Sequence, residues 1–319
     1  MYLGIEIGGT KLQLGLGPGD GTLLALWRGA VVPADGADGI RRQISQAIPE
    51  LLANANRGRD ELRGVGIGFG GPVDDATRTV IKSHQIAGWD GFPLADWIAD
   101  IVGVPAELGN DADVAGLAEA LFGAGKGLSP IFYITIGSGI GGGLIIDGEI
   151  YRGCGRGAAE IGHLRLMWPD ILQKLYSYPL EELASGWAIE ESARRLKWDH
   201  PNTFFPGISE PITVARLAEA AAAGDDGAKY HLASAWNALS QGICHVIALL
   251  CPRRIVIGGG VSLMGEELLF KPLRTLVAER VFKPFADCYD IVPAALGEEV
   301  VLHGALALAK KRAAHAVSG

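Results

Sequence analysis

An aspartate next to the end of a predicted strand is well placed for acid–base chemistry. Residues 109–113 read GNDAD, and they lie where the predicted strand VPAEL ends and a helix begins. Asp111 could accept the proton of a hydroxyl group while the hydroxyl oxygen attacks phosphorus, and Asn110 could hold the neighbouring hydroxyl. Asn110 or Asp111 could equally serve only as the N-cap of that helix. The segment alone leaves both interpretations open.

A glycine-rich turn predicts a site for phosphate groups. GSGIGG at 137–142 matches the dinucleotide-binding pattern G-x-G-x-x-G. That pattern must open a helix, whereas the aliphatic residues and the Asp147-Gly148 turn that follow here predict a β-hairpin. The N–H groups of such a turn can bind an anion, and Ser138 can add a hydroxyl donor. A dinucleotide site and a hairpin without any ligand are the alternatives.

A similar turn lies near the N-terminus. IEIGGTK at 5–11 places Gly9 and Thr10 between two predicted strands, with Glu6 before the turn and Lys11 after it. A carboxylate next to a glycine–threonine turn fits the phosphates of a magnesium nucleotide. Because the two strand–turn–strand segments are about 130 residues apart, they indicate two similar domains that could hold one ligand.

Further polar and glycine-rich positions could contribute to a ligand site. Glu160 and His163, three residues apart in AAEIGH, would suit a polyhydroxylated ligand, although a single histidine is more often structural. Glu181 begins a predicted helix, where an acidic residue is also favoured by the helix dipole. The cluster Gly258–Gly260 follows a late strand and would let a nucleoside lie against the backbone.

Composition narrows the functional class. The chain has 319 residues with a formal net charge of −8, and its hydrophobic fraction of 49% is that of a globular protein. The acidic balance disfavours nucleic acid as a partner. The four cysteines are far apart, which favours reduced thiols, and the absence of a signal peptide or a long apolar run favours a cytoplasmic protein without a membrane span.

The ordered set of motifs resembles the ROK family (repressor, open reading frame, kinase), specifically its bacterial sugar kinases of glucokinase type. The matching segments are IEIGGTK, GFGGPVD, GNDAD, ITIGSGIGGG, AAEIGH, LEELASG and VIGGGVS, which span nearly the whole chain. The resemblance implies an α/β fold of two ribonuclease-H-like domains of the actin/hexokinase type with a cleft between them. It also implies ATP- and Mg²⁺-dependent phosphorylation of a hexose, as in carbohydrate metabolism and glycolysis, by a homodimer.

The resemblance also assigns roles to individual residues. It makes Asp111 the general base and Glu6 a ligand that holds Mg²⁺ through water. The implied sugar-binding residues are Gly71, Asn110, Glu160, His163 and Glu181. The implied ATP-binding residues are Gly9, Thr10, Lys11, Thr135, Gly137, Ser138, Gly139, Gly258, Gly259 and Gly260.

Two departures from the family pattern concern the sugar side. The family's N-x-P-G-W reads Gln85-Ile86-Ala87-Gly88-Trp89 here. Its cysteine-rich zinc motif is replaced by WPDILQKLYSYPLEELASG, which contains no cysteine, and His163 alone cannot hold a structural zinc ion that needs four ligands. We therefore expect no zinc. We expect apolar packing to hold this loop, through Trp168, Ile171, Leu175, Tyr176 and Tyr178.

The expected domain boundaries place residues 1–112 in a small N-terminal domain and 113–302 in a larger C-terminal one. The helix at 303–319 is expected to pack back on the first domain. Glucose is the default substrate, and N-acetylmannosamine, N-acetylglucosamine, fructose and allose are alternatives, as is polyphosphate in place of ATP. A non-catalytic sugar-binding protein is a further alternative. A DNA-binding repressor is disfavoured because the chain starts at the first strand.

Overall fold

A computed structural model of the chain describes residues 1–83, 85–169, 173–199 and 211–318. The strands in these ranges are β1 (Tyr2–Ile7), β2 (Lys11–Gly17), β3 (Ala25–Ala30), β4 (Gly64–Phe69), β5 (Val73–Asp74), β6 (Thr79–Val80), β7 (Ala106–Asn110), β8 (Ile131–Ile136), β9 (Ile140–Ile146), β10 (Glu149–Ile150), β11 (Arg165–Pro169), β12 (Leu175–Pro179), β13 (Arg254–Gly258) and β14 (Ile291–Pro293). The helices are α1 (Gly36–Asn54), α2 (Leu94–Val102), α3 (Asp111–Phe122), α4 (Glu181–Ala184), α5 (Gly186–Asp199), α6 (Val214–Ala222), α7 (Asp226–Leu250), α8 (Lys271–Arg280) and α9 (Val300–Ser318).

The chain divides into two compact units. The first unit is made of Met1–Ser129, Gly143–Ala158 and Ala295–Gly319, and the second of Pro130–Gly142 and Ala159–Ala294. The observed division differs from the predicted boundary at residue 112. Helix α3 belongs to the first unit because it packs against α9, and strand β9 is shared between the units.

The sheet of the first unit aligns the ends of three parallel strands. Its strand order is β3-β2-β1-β4-β7, with β1, β4 and β7 parallel. Ile7 pairs with Phe69, and Phe69 pairs with Asn110. Since each of these residues is the last of its strand, the three loops that follow start at one edge of the sheet. Ligand sites in open α/β sheets lie at such an edge.

The two faces of this sheet are covered differently. On one face, Ile5 and Ile67 are register partners and are completely buried together with Ile44 of α1. Burial of each such side chain stabilises the fold by about 1.5–3 kcal/mol. On the other face, a Cβ at Gly66 would overlap with the carbonyl oxygen of Ala305, so glycine lets the backbone of α9 approach the sheet closely.

The second five-stranded sheet positions the later glycine clusters. Its order is β10-β9-β8-β13-β14, and β8 and β13 are parallel, with Thr135 paired to Gly258. The carboxyl ends of β8 and β13 therefore lie side by side. Gly137–Gly139 follow one of these ends and Gly259–Gly260 follow the other.

The sequence predicts one helix over 180–197, and this helix is interrupted in the structure. Ser185 adopts an extended backbone, and its side-chain oxygen accepts a hydrogen bond from the Ala188 N–H at 3.1 Å, so that a new helix starts at Gly186. Residues 198–211 read WDHPNTFFPGISEP, which predicts a loop, and they lie largely outside the described residues. None of the helices in the described ranges has the length and apolar character needed to cross a membrane.

Candidate active site

Asn110 and Asp111 stand at the junction of β7 and α3. Asn110 is the N-cap, because its Oδ1 accepts the N–H of Ala112 at 2.9 Å, and its Nδ2 donates to the carbonyl oxygen of Gly71 at 3.0 Å. Asp111 Oδ1 accepts the same Ala112 N–H at 2.9 Å. The two side chains are therefore held against the loop that follows β4 and against the first turn of α3.

The second carboxylate oxygen of Asp111 lies near the ends of β1 and β4. It is 3.4 Å from the position that a Cβ would take on Gly70, and the Gly70 N–H donates to the carbonyl oxygen of Ile7 at 2.8 Å. Gly8 is also within van der Waals distance of that position, at 3.6 Å. The predicted base and the first predicted phosphate turn are thus neighbours in the first unit.

Glu6 is a buried carboxylate with one oxygen still available. Its side chain is 7% exposed, and its Oε1 is 3.0 Å from Lys11 Nζ. Its Oε2 is buried and has no hydrogen-bond partner among the described residues. Burial raises the pKa of Glu6 to about 7, although Lys11 lowers it, and the charges of Asp111 and Glu299 raise it further. The ion pair with Lys11 leaves one carboxylate oxygen of Glu6 for a cation or a water molecule.

The first glycine turn is closed by backbone hydrogen bonds. The Gly8 N–H donates to the carbonyl oxygen of Lys11 at 3.0 Å, and Thr10 accepts the N–H of Val31 at 3.0 Å. Lys11 also donates to the carbonyl oxygen of Glu298 at 3.1 Å. Thr10 itself is exposed. The structure therefore presents Thr10 at the tip of the turn and ties Lys11 to Glu6.

The second unit brings three predicted residue groups together. His163 Nδ1 lies 3.8 Å from Glu181 Oε1, and Glu181 Oε2 lies 3.1 Å from the position of a Cβ on Gly139. The atoms around the Glu160 carboxylate shield it from water and raise its pKa, although the residue as a whole is exposed. His163 lowers that pKa and Glu181 raises it. A carboxylate and imidazole cluster thus adjoins the second glycine turn.

The second and third glycine clusters are in contact. Gly259 has φ +84°, and a Cβ there would lie 2.5 Å from the carbonyl oxygen of Ile136, so that no other residue fits without strain. The Gly186 N–H donates to the carbonyl oxygen of Gly137 at 2.8 Å. Around Gly137 and Gly260, a Cβ would meet nothing within 4 Å. Open space therefore lies beside both clusters.

The segment that replaces the zinc motif is a β-hairpin. Strands β11 and β12 pair antiparallel, with Trp168 opposite Tyr176. Leu175 is 61% exposed and Tyr176 is 47% exposed, so the predicted apolar packing does not bury either residue. Tyr176 and Tyr178 contact each other edge to face at 6.5 Å, while Ile171 lies outside the described residues. Backbone pairing holds this segment.

Metal ligands do not cluster in the described ranges. No group of three or more His, Cys, Asp or Glu side chains there could hold a metal ion. The expectation that the protein lacks zinc stays a prediction.

Glu119 has a structural role that was not predicted from the sequence. This residue is fully buried in α3, and its carboxylate accepts the N–H groups of Ala124, Ala295 and Leu296 at 2.7–2.9 Å. In the sequence, Glu119 is the single acidic residue of the apolar stretch that follows Asp113. An acidic side chain in such a stretch indicates a buried carboxylate, and a buried carboxylate requires hydrogen-bond donors.

The chain is similar to known proteins over almost its whole length. Residues 2–312 match the model of the ROK family. Glucokinase of Thermotoga maritima is 31% identical over 314 residues, which cover 97% of each chain. Xylose repressor of Caldicellulosiruptor bescii is 25% identical over 84% of this chain and 67% of its own, so regulators also occur among the relatives.

Two crystal structures cover almost the whole chain. One is a ROK hexokinase from Thermus thermophilus, with a TM-score of 0.80, 27% identity, and coverage of 98% of this chain and 99% of the other. The other is a ROK family glucokinase from Streptomyces griseus in complex with glucose and AMPPNP, with a TM-score of 0.78, 32% identity, and coverage of 97% and 99%. These structures have the actin/hexokinase-like fold, and the relatives named as sugar kinases support a kinase reaction. With its strand ends, glycine turns and motif order, this chain belongs to the ROK family.

Proposed function

We propose that the protein transfers the terminal phosphoryl group of ATP to a hydroxyl of a hexose, with glucose as the default substrate. The observation that carries this proposal is the position of Asp111. Its carboxylate is fixed on one oxygen by the Ala112 N–H, and its other oxygen lies beside Gly70, at the aligned strand ends. A base adjoining a phosphate turn is what phosphoryl transfer to a hydroxyl requires.

The role of Asp111 is that of general base and positioning group. It would accept the proton of the hydroxyl as the hydroxyl oxygen attacks the terminal phosphorus, which leaves ADP as the second product. Asn110 is assigned to the adjacent hydroxyl. Its Oδ1 is engaged with Ala112 and its Nδ2 with Gly71, so the rotamer that would meet the sugar is already held.

Glu6 is the residue assigned to magnesium, through water. Its buried Oε2 has no hydrogen-bond partner among the described residues, and carboxylate oxygen is a ligand that magnesium prefers. When bound, magnesium supplies positive charge that neutralises the phosphates. The N–H groups of Gly9, Thr10, Gly137, Ser138 and Gly139 are assigned to the phosphate oxygens. Thr135, Lys11 and the cluster Gly258–Gly260 are assigned to the nucleotide. Lys11 also lowers the pKa of Glu6, against the effect of burial.

The sugar-binding assignment comprises Gly71, Glu160, His163 and Glu181, together with Asn110. Carboxylates and an imidazole in one cluster offer acceptors and a donor to several hydroxyls of a pyranose. The hairpin β11–β12 directly connects His163 with Glu181 in the chain, and it has replaced the zinc motif. The proposal therefore includes N-acetylmannosamine, N-acetylglucosamine, fructose and allose as substrates to be compared with glucose.

The experiment is a coupled assay that measures ADP release with a dozen hexoses, repeated with polyphosphate as the donor and a hexose-phosphate readout. Phosphorylation of one hexose with a clear preference, abolished in Asp111→Asn, supports the kinase. Hexose binding by calorimetry without turnover, with either donor, would instead favour a sugar-binding regulator, which the similarity to a repressor makes the second candidate. Light scattering tests the homodimer, which we also propose.

A further inference from the structure

The side chain of Gln85 lies directly on the first glycine turn. A Cβ at Gly9 would overlap with Gln85 Oε1 and would lie 2.5 Å from its Cδ and 3.4 Å from its Cβ. The amide thus occupies the space that any side chain at position 9 would need. Glycine at this position is explained by Gln85 as much as by the turn itself, since the φ of Gly9 is not in the left-handed region.

The segment that carries Gln85 is held on both sides. The Ile86 N–H donates to Ser83 Oγ at 3.1 Å, and the carbonyl oxygen of Ala87 accepts the Ala37 N–H at 2.9 Å. Trp89 is fully buried and contacts Phe69, the last residue of β4, edge to face at 5.5 Å. Gln85 is therefore presented to the turn by a fixed support, and its contact with Gly9 is a defined feature of the fold.

The chemistry of the amide suits an anion at this turn. With its Oε1 against Gly9, the uncharged glutamine amide has two N–H donors on its nitrogen, with which it can bind a phosphate oxygen. Gln85 is exposed. Thr10 is exposed at the same turn. A ligand at the tip of the turn would meet both side chains.

We propose that Gln85 binds the terminal phosphoryl group of the donor, by donating an amide hydrogen bond to one of its oxygens over the Gly8–Thr10 turn. This inference rests on the proposed function. It adds a residue that binds the phosphoryl donor, on a segment that the family resemblance assigned to the sugar side. Gly9 then has a second role, which is to leave room for the amide.

The test compares Gln85→Ala with Gln46→Ala, which removes an exposed glutamine from α1 and should change nothing. Calorimetry with a non-hydrolysable Mg-ATP analogue and with Mg-ADP separates the terminal phosphate from the rest of the nucleotide. Gln85→Ala should weaken binding of the ATP analogue roughly tenfold, which is the effect of losing one hydrogen bond to a charged group. Binding of ADP should be unchanged. In the assay, KM for ATP should rise while KM for the hexose stays constant.

Two results overturn the inference. An increase in KM for the hexose with unchanged nucleotide binding would make Gln85 a sugar contact, and no change in either would make it a packing residue. Absence of turnover in the wild-type protein with every hexose is a different outcome, since it contradicts the proposed kinase while calorimetry still reports on Gln85.

A double-mutant cycle tests the contact with Gly9. Gly9→Ala should displace the Gln85 amide and weaken binding of the ATP analogue as Gln85→Ala does. In the Gln85→Ala background, Gly9→Ala should reduce the affinity for the analogue much less. Fully additive losses would contradict the contact. Gln85→Asn, which is one methylene shorter, should bind the analogue as weakly as Gln85→Ala, because its amide no longer reaches the turn.

Discussion

Asn110 and Asp111 accept a hydrogen bond from the same donor, the backbone N–H of Ala112, each at 2.9 Å. Two interpretations of GNDAD, a helix cap and a chemical base, were open from the sequence, and this shared donor shows that they are compatible. Asn110 is the cap, while Asp111 uses one oxygen for the helix and keeps the other beside Gly70. The first turn of α3 thereby orients the carboxylate.

Asp111→Asn should remove activity and leave the fold intact. An amide in place of the carboxylate still accepts the Ala112 N–H but cannot take a proton, so kcat should fall by roughly 100- to 10,000-fold. The midpoint of denaturant unfolding should stay close to that of the wild type. The measurement is kcat in the coupled assay together with a guanidinium melt. Full turnover in this variant would refute the assignment of the base.

Asn110→Ala should cost both stability and affinity for the hexose. Loss of an N-cap typically destabilises a protein by about 1 kcal/mol, and here the tie to the Gly71 carbonyl is lost as well. The measurements are the free energy of unfolding and KM for the hexose. Asn110→Asp serves as the control, because it keeps the cap and loses only the donor to Gly71. If both variants were as stable as the wild type, the N-cap would not contribute to stability.

The strands and glycine turns were predictable because each element has a local signature. Short aliphatic runs that end in glycine identified β1 and β8, and the Asp147-Gly148 turn identified the hairpin of β9 and β10. The alignment of Ile7, Phe69 and Asn110 has no such signature, since register depends on side chains that are distant in the chain. That alignment is what places Asp111 near the first turn.

The hairpin after His163 illustrates the opposite case. Residues 165–169 read RLMWP, in which apolar residues occur at neighbouring positions, so the period of two that marks a half-buried strand is absent. The apolar composition suggested packing, whereas the backbone forms β11 and β12 with Leu175 exposed. Gln85 and Gly9 are likewise 76 residues apart, and only the folded chain shows that they touch.

His231 should make the stability of the protein depend on pH. It is 3% exposed in α7, its Nδ1 lies 3.0 Å from Ser192 Oγ, and burial lowers its pKa from 6.5 to about 4, although Asp225 acts in the opposite direction. The unfolded chain takes up a proton near pH 6.5 and the folded chain only near pH 4. The contribution of neutral His231 to the free energy of unfolding is therefore complete above pH 6.5. It should fall by about 3 kcal/mol as the pH drops to 4.

Guanidinium unfolding between pH 4 and 8 measures this effect. His231→Gln can still hydrogen-bond to Ser192 but does not titrate, so its unfolding free energy should lose this part of the pH dependence. His245→Gln, on the exposed side of the same helix, is the matched control and should follow the wild type. Identical pH profiles for the wild type and His231→Gln would contradict the prediction.

Glu119→Ala should destabilise the protein without changing its chemistry. The substitution removes a fully buried carboxylate that accepts partly buried hydrogen bonds from the N–H groups of Ala124, Ala295 and Leu296. Since a hydrogen bond to a charged group contributes about 1.5–3 kcal/mol, the loss of three partly buried ones should total roughly 3 kcal/mol or more. Glu119→Gln keeps one acceptor oxygen and should lose about half as much stability.

Guanidinium melts of the Glu119 variants give the free energies of unfolding. The kcat measured well below the melting temperature should change less than twofold, because Glu119 lies two turns along α3 from Asp111. A loss below about 1 kcal/mol in Glu119→Ala would mean that water replaces the carboxylate at all three groups.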